Sequence, residues 1–164
     1  MGHLWLIGMM GSGKTTIGKR VSAALDLPFI DSDELIAESL QKTIDEIFSE
    51  DEAVFREVER RTLTEISHLH DHVVATGGGV VLDERNVATM RTSGTTILLD
   101  ADVAALIKRL HRSTGRPLLR TNSDLAVIAE ARAGVYAAAA DVLIDTSQRS
   151  IQEVTDEVSA CRAM

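Results

Sequence analysis

Residues 8–15 of this 164-residue chain read Gly8-Met9-Met10-Gly11-Ser12-Gly13-Lys14-Thr15, and they decide its fold. A glycine, four free positions, then glycine, lysine and a hydroxyl residue form the pattern of a phosphate-binding loop. Such a loop needs a strand before it and a helix after it, and residues 3–7 and 14–25 have the apolar patterns of these two elements. Glycines let backbone amides turn toward an anion at the helix N-terminus, where the helix dipole also favours negative charge. We therefore predict a nucleotide site in which Lys14 reaches the β- and γ-phosphates and Thr15 ligates Mg²⁺; a glycine-rich turn without a ligand is the alternative.

The composition limits the partners that the chain can have. Its 17 Lys and Arg residues and 25 Asp and Glu residues give a formal net charge of −8, which argues against nucleic acid or an anionic membrane as the main partner. Cys161 is the one cysteine, so an internal disulfide and a cysteine zinc cluster are both excluded. No apolar run reaches the length of a membrane span, and the first residues lack the pattern of a signal peptide. We expect a single cytoplasmic domain, monomeric, with small molecules as its partners.

Strand and helix patterns alternate along the rest of the chain. This alternation predicts the α/β class, with a parallel sheet, helices on both of its faces, and ligands at the carboxyl ends of the strands. The further predicted strands lie at 29–30, 73–76, 95–99 and 141–144. The further predicted helices lie at 34–40, 43–68 with a break near 49–51, 83–90, 103–110, 124–140 and 150–162.

Two aspartates follow the second predicted strand. In an extended segment side chains alternate, so Asp31 and Asp33 would project to one side and Ser32 to the other. Mg²⁺ needs hard carboxylate oxygens in addition to the hydroxyl of Thr15, which favours a metal or substrate role for the pair. The alternative is that these residues only cap the next helix, with Ser32 or Asp33 as the N-cap.

An acid, a base and an acid share one face of the predicted helix after residue 51. Glu52, Arg56 and Glu59 are four and three residues apart, a spacing that suits a guanidinium held between two carboxylates. Glu57 and Arg61 have the same spacing, so a solvated ladder of ion pairs remains the ordinary alternative.

Three glycines, Gly77 to Gly79, end the strand predicted at 73–76. They would let the backbone approach either a ligand or the phosphate-binding loop closely, and a flexible turn is the alternative. The long polar segment 113–123 contains Arg116 and Arg120, and a loop of this length in a compact domain is either functional or disordered. An arginine in a mobile loop beside a nucleotide can neutralise charge on a phosphoryl group in transfer.

Taken together, these features resemble the shikimate kinase family over essentially the whole chain. The matching segments are residues 6–18, Asp31-Ser32-Asp33, Phe55-Arg56 with Glu59, Thr76-Gly77-Gly78-Gly79, Arg116-Pro117-Leu118-Leu119, and Arg132 with Tyr136. The resemblance implies a three-layer α/β sandwich of the P-loop, nucleoside-monophosphate-kinase-like type, with a five-stranded parallel sheet in the order 2-3-1-4-5. It also implies a mobile lid near 112–124 and a substrate-binding helical region near 32–60.

The resemblance further implies transfer of the ATP γ-phosphate to the 3-hydroxyl of shikimate, with ATP as co-substrate and one Mg²⁺ per ATP. Lys14, Asp33 and Arg116 would be catalytic, and Thr15 and Asp31 would serve the metal. The residues implied for ATP are Gly11, Ser12, Gly13, Lys14, Thr15, Thr16, Arg109, Arg116 and Arg149. Those implied for shikimate are Asp33, Arg56, Glu59, Gly77, Gly78, Gly79 and Arg132, with Glu59 orienting Arg56.

Three positions depart from the family's pattern: Gln41 and Asp51 stand where glycine is usual, and Gly134 stands where proline is usual. All three concern turns or helix starts, and Gly134 would loosen the backbone that presents Arg132. Two rival functions remain at this point. One is a P-loop kinase of another small hydroxy acid such as gluconate, and the other is a regulator that binds nucleotide without catalysis.

Overall fold

Strands and helices alternate in the computed structural model, which describes residues 2–112 and 122–163. The strands are β1 (His3–Ile7), β2 (Phe29–Asp31), β3 (Val73–Ala75), β4 (Gly94–Asp100) and β5 (Val142–Asp145). The helices are α1 (Lys14–Leu25), α2 (Ser32–Leu40), α3 (Ile44–Glu50), α4 (Glu52–Ser67), α5 (Glu84–Ser93), α6 (Val103–Arg112), α7 (Asn122–Ala139) and α8 (Ile151–Ala160). Short 3₁₀ turns at Val80–Leu82 and Cys161–Ala163 complete the described elements.

The five strands form one parallel sheet in the order β2-β3-β1-β4-β5, which confirms the predicted class and strand order. β1 lies at its centre and is buried along its whole length. Trp5 and Ile7 pack into the core on one face of the sheet, and Leu4 and Leu6 pack into the core on the other. A strand buried on both faces has a continuous apolar sequence, which is why this run lacks polar alternation.

Helices cover both faces of the sheet. α1 and α8 close one face with Ile17, Val21, Val154 and Val158, whereas residues of α4, α5 and α7 pack against the other. A third, smaller cluster of Ile36, Ile47 and Phe55 holds α2, α3 and α4 together beside the sheet. The carboxyl ends of β1, β2 and β3 therefore open toward the same edge, where the motifs of the sequence meet.

No helix in the described ranges is long and apolar enough to cross a membrane.

Several boundaries differ from the sequence prediction. α2 begins at Ser32 instead of Glu34, and α7 begins at Asn122 instead of Asp124. Gly94 both follows α5 and begins β4, with an extended φ of 175°. A Cβ at Gly94 would lie only 2.7 Å from the backbone N and C of His3, so the close approach of β1 is the reason for glycine at this position.

A buried histidine lies at the start of β1. His3 accepts a hydrogen bond through Nδ1 from the backbone N–H of His72 at 3.1 Å, an arrangement that requires this nitrogen to be unprotonated. Burial and the neighbouring His72 lower the pKa of His3 below its usual value of 6.5. A hydrogen bond to the Ser67 backbone and the charge of Asp71 oppose this lowering of the His3 pKa, and Arg162 adds to it.

This histidine predicts a pH-dependent stability. Below about pH 6.5 the unfolded chain binds a proton at His3 that the folded chain does not, so the free energy of unfolding should fall as the pH drops from there toward the lower pKa of the folded state. His3→Asn should flatten this dependence, because Oδ1 of Asn can accept the His72 amide hydrogen without titrating. Urea unfolding of both proteins between about pH 7.5 and 5.5 measures the slope. His111→Asn, which changes an exposed histidine on α6, is the control; an unchanged slope in His3→Asn would contradict the prediction.

Candidate active site

The phosphate-binding loop, residues 8–15, is shaped by glycines with positive φ. Gly8 has φ 145° and Gly11 has φ 81°, and a Cβ at Gly8 would lie 2.5 Å from the carbonyl oxygen of Leu99. Lys14 Nζ donates to the carbonyls of Gly8 at 2.8 Å and Met9 at 3.0 Å, so its ammonium lies across the loop. The N-cap of α1 is Gly13, which has no side chain to accept from the first amides of the helix, and the first turn of α1 contains no acidic residue. Its N-terminal amides can therefore serve an external anion.

Asp31 links this loop to the next helix. Thr15 Oγ1 donates to Asp31 Oδ2 at 2.7 Å, while Asp31 Oδ1 accepts from the amides of Asp33 at 3.1 Å and Glu34 at 3.4 Å. Asp31 is thus the N-cap of α2, and the prediction of Ser32 or Asp33 as the cap is wrong. Ser32 and Asp33 are already helical, so the alternation of an extended segment does not determine where they point.

The three glycines pass close to several charged side chains. A Cβ at Gly77 would lie 2.7 Å from Asp33 Oδ1 and 3.1 Å from Glu59 Oε1. A Cβ at Gly79 would lie 2.6 Å from both terminal nitrogens of Arg56. Any larger residue would displace these groups, so the glycines allow two carboxylates and a guanidinium to reach the backbone.

The middle glycine contacts two other parts of the site. A Cβ at Gly78 would lie 3.7 Å from the amide nitrogen of Met10 in the phosphate-binding loop. The carbonyl of Gly78 accepts hydrogen bonds from Arg132 Nη1 at 3.2 Å and from the hydroxyl of Tyr136, one turn further along α7. The turn formed by Gly77 to Gly79, called the glycine turn below, therefore lies between the phosphate-binding loop and α7.

Arg56 is held by contacts on several sides. Its Nη1 donates to Glu59 Oε2 at 2.9 Å, and its Nη2 lies 3.6 Å from Glu52 Oε1. The guanidinium also lies over the rings of Phe48 and Phe55, at 5.5 and 5.2 Å from the centroids. These contacts leave the guanidinium little freedom.

Glu59 differs from the surface acids of the same helix. Its side chain is 1% exposed, and burial raises the pKa of its carboxyl even though Arg56 acts in the opposite direction. Its Oε1 is buried with no hydrogen-bond partner within the described ranges, on the side that faces Gly77. By contrast, Arg61 pairs with Glu65 rather than Glu57, and its side chain is 77% exposed, as in an ordinary surface ion pair.

The remaining arginines implied for ATP have different surroundings. Arg109 donates to Thr146 Oγ1 at 2.9 Å and to the Thr146 carbonyl at 2.5 Å, and it lies 3.5 Å from the carbonyl of Ser12. Arg149 pairs instead with Glu157 and donates to the Glu153 carbonyl on α8. Arg116 and most of the expected lid lie outside the described residues.

Comparison with known proteins decides the family. The family model of shikimate kinase matches residues 10–162. The chain belongs to the shikimate kinase family. A shikimate kinase from Caldanaerobacter subterraneus subsp. tengcongensis is 38% identical, with 96% of this chain and 94% of the relative covered. A shikimate kinase from Microcystis aeruginosa is 46% identical, with 83% and 73% covered.

Solved structures agree with this assignment. The shikimate kinase from Acinetobacter baumannii in complex with shikimate superposes with a TM-score of 0.90 at 30% identity, covering 96% of this chain and 90% of that one. A gluconokinase from Sinorhizobium meliloti has a TM-score of 0.62 at 17% identity, covering 99% and 91%, which shows a shared fold only.

Two of the three departures from the shikimate kinase pattern have clear structural outcomes. Gln41 adopts φ 54° at the end of α2, a left-handed conformation in which glycine would be less strained. Asp51 is extended and caps α4, accepting through Oδ1 from the amides of Ala53 at 2.9 Å and Val54 at 3.3 Å. An aspartate therefore starts the helix that carries Arg56 without any need for glycine.

Gly134, the third departure, is an exposed position inside an uninterrupted α7. No atom lies within 4 Å of where its Cβ would be. Gly134→Ala should therefore raise the free energy of unfolding by about 0.5–1 kcal/mol, since alanine loses less backbone entropy in a helix. Thermal and urea unfolding measure the change, and Gly77→Ala, whose Cβ would lie 2.7 Å from Asp33 Oδ1, should not stabilise the fold. A loss of stability in Gly134→Ala would contradict the prediction.

Several residues of this candidate site had no role predicted from the sequence. Tyr136 anchors the glycine turn to α7, Phe48 supplies an aromatic face for Arg56, and Thr146 holds Arg109. The role of Tyr136 could have been predicted, because Arg132 and Tyr136 are four residues apart on a helix and therefore share a face. The contact of Thr146 with Arg109 joins residues 37 apart in the chain, and the contact of Phe48 with Arg56 crosses the break between α3 and α4, so no local pattern marks either of them.

Proposed function

We propose that this chain transfers the γ-phosphate of ATP to the 3-hydroxyl of shikimate, giving shikimate 3-phosphate and ADP. The observation that carries the proposal is the convergence of Asp33, Arg56 and Glu59 on the three-glycine turn, which itself lies against the phosphate-binding loop. A carboxylate acceptor for hydroxyls and a held guanidinium for a carboxylate are the groups that a small polyhydroxy acid requires.

The nucleotide side of the site suits ATP with Mg²⁺. Amides of Gly11, Ser12 and Gly13 and the N-terminus of α1 would hold the phosphates, with Lys14 and Thr16 adding donors. The hydroxyl of Thr15 and the carboxylate of Asp31, 2.7 Å apart, are hard oxygen donors of the kind Mg²⁺ prefers. When bound, the metal would supply charge neutralisation at the β- and γ-phosphates. Arg109, which is fixed beside Ser12, and Arg149 would flank the adenine of ATP.

The acceptor side would bind and activate shikimate. Asp33 would accept hydrogen bonds from its hydroxyls and take the proton of the 3-hydroxyl as that oxygen attacks the γ-phosphorus and the bond to the bridging oxygen breaks. Arg56 and Arg132 would grip the carboxylate, and Gly77 to Gly79 would close around the ring. Glu59 would orient Arg56 through Oε2 and leave Oε1 for a substrate hydroxyl or a water.

The wider organisation follows from the same proposal. We place residues 1–164 in one kinase domain, monomeric and cytoplasmic, with a lid near 112–124 and the acceptor region near 32–60. Arg116 in this lid would stabilise the transferring phosphoryl group, and closure of the lid would keep water away from it.

A coupled assay of ADP release tests the proposal with shikimate, gluconate and buffer alone. We expect turnover that depends on shikimate and Mg²⁺, together with a phosphomonoester signal from the product in ³¹P NMR. Turnover with gluconate only would indicate a kinase of another hydroxy acid. ATP binding without turnover on either acceptor would indicate a nucleotide-binding regulator, and both results would overturn the proposal.

A further inference from the structure

The carboxylate of Asp31 has two oxygens that contact two different parts of the site. Oδ2 accepts from Thr15 Oγ1 at 2.7 Å, on the nucleotide side. Oδ1 accepts from the backbone amide of Asp33 at 3.1 Å, on the acceptor side, and from that of Glu34 at 3.4 Å. One side chain therefore joins the hydroxyl proposed for the metal to the residue proposed as the base.

The cap formed by Oδ1 determines where the first turn of α2 lies. Asp31 is extended, with φ −103° and ψ 116°, and the chain enters α2 at the very next residue. The first amides of a helix have no partner within it, so a cap that holds them also fixes the turn that they belong to. Asp33 belongs to this turn, and its Oδ1 lies 2.7 Å from the position of a Cβ on Gly77. Asp31 thus holds the backbone amide of Asp33, and the side-chain carboxylate of Asp33 reaches the glycine turn.

We propose that Asp31 is a positioning residue for Asp33, in addition to its proposed place at the metal. This inference rests on the proposed function, because it assumes that Asp33 binds the acceptor hydroxyls. Its consequence is that Asp31 contributes to acceptor binding even when nucleotide and metal are absent. A residue that served the metal alone would make no such contribution.

Two substitutions separate these roles. Asp31→Asn keeps an oxygen that can cap α2, since asparagine is as good an N-cap as aspartate, but it removes the negative charge. Asp31→Ala removes the cap and the charge together. A positioning role therefore predicts that the two variants differ in metal-free acceptor binding, whereas a role at the metal alone predicts that they do not.

The experiment is titration calorimetry of shikimate binding without nucleotide and in the presence of EDTA. We expect Asp31→Ala to weaken binding about tenfold, in keeping with the loss of an N-cap, and Asp31→Asn to stay within about twofold of the unsubstituted chain. Ser150→Ala removes the N-cap of α8, whose Oγ accepts from the Glu153 amide at 3.2 Å, and is the matched control. It should lower the melting temperature without changing shikimate binding.

The possible outcomes are distinct. Equal shikimate affinity in Asp31→Ala and the unsubstituted chain would overturn the positioning role, as would equal weakening in Asp31→Asn and Asp31→Ala. An unsubstituted chain that binds no shikimate would instead overturn the proposed function. If Asp31→Ala does not fold, Asp31→Gly replaces it, because an N-cap position tolerates glycine much better than alanine.

Discussion

Asp33→Asn is expected to lower turnover by about 10³-fold or more while ATP binds almost as well as before. Asparagine has the size of aspartate and can still receive a hydrogen bond from a hydroxyl, but it cannot accept the proton that leaves the 3-hydroxyl. The substitution lies on the acceptor side of the site, where Asp33 faces Gly77, and not in the loop proposed for phosphate. The expected loss is therefore in kcat, with little change in the affinity for nucleotide.

Steady-state kinetics and calorimetric titration with an ATP analogue measure the two effects separately. Asp156→Asn, which changes an exposed aspartate on α8 that accepts from Gln152 at 2.7 Å, is the matched control and should behave like the unsubstituted chain. Retention of more than about a tenth of the rate in Asp33→Asn would remove Asp33 from the role of base. Equal loss of ATP binding and turnover would assign it to the fold instead.

Arg56→Ala has the second large expected effect, which is a loss of affinity for shikimate. A guanidinium that binds a carboxylate through charge-assisted hydrogen bonds contributes enough that its removal should raise the shikimate KM about 10²-fold or more. The affinity for ATP should stay nearly unchanged. Because Glu59 is buried beside Arg56 and would lose its partner, the melting temperature should fall as well.

Two further variants separate binding from stability. Arg56→Lys keeps a positive charge near Glu59 but lacks the planar fork, so it should recover most of the stability and little of the shikimate affinity. Arg61→Ala, on the exposed side of the same helix, should change neither. A shikimate KM that is unaltered in Arg56→Ala would contradict the proposed carboxylate clamp.

Local patterns in this sequence were sufficient to predict the α/β class and the parallel sheet, whereas the strand order was implied by the resemblance to the shikimate kinase family. The glycines and lysine of residues 8–15 required a strand before them and a helix after them, and β1 and α1 lie there. The alternation of strands and helices required parallel pairing, which all neighbouring strands show. These predictions succeeded because backbone geometry and the periodicity of buried residues depend on positions close together in the chain, so a short segment is enough to predict a strand, a helix or a loop.

The same patterns could not distinguish a buried ion pair from an exposed one when the residues of both pairs have the same spacing on the helix. Glu59 and Glu57 are both three or four residues from an arginine, yet one is buried against Gly77 and the other lies at the surface. Spacing on a helix determines which residues share a face, but the side of the helix that meets another element depends on packing. The cap of α2 was predicted wrongly as Ser32 or Asp33 instead of Asp31, since aspartate and serine at adjacent positions have similar capping preferences.

By itself, then, the sequence determined the phosphate-binding loop, the parallel sheet and the set of residue types that a kinase of a small hydroxy acid would need. Only the tertiary structure decided that Asp33, Arg56 and Glu59 reach one glycine turn, that Tyr136 holds this turn to α7, and that Asp31 contacts both sides of the site. The physical reason is range. A loop or a strand is specified by neighbours along the chain, whereas these contacts join β2 to α1, and the turn after β3 to α2, α4 and α7. They form only once the sheet has brought the carboxyl ends of its strands together.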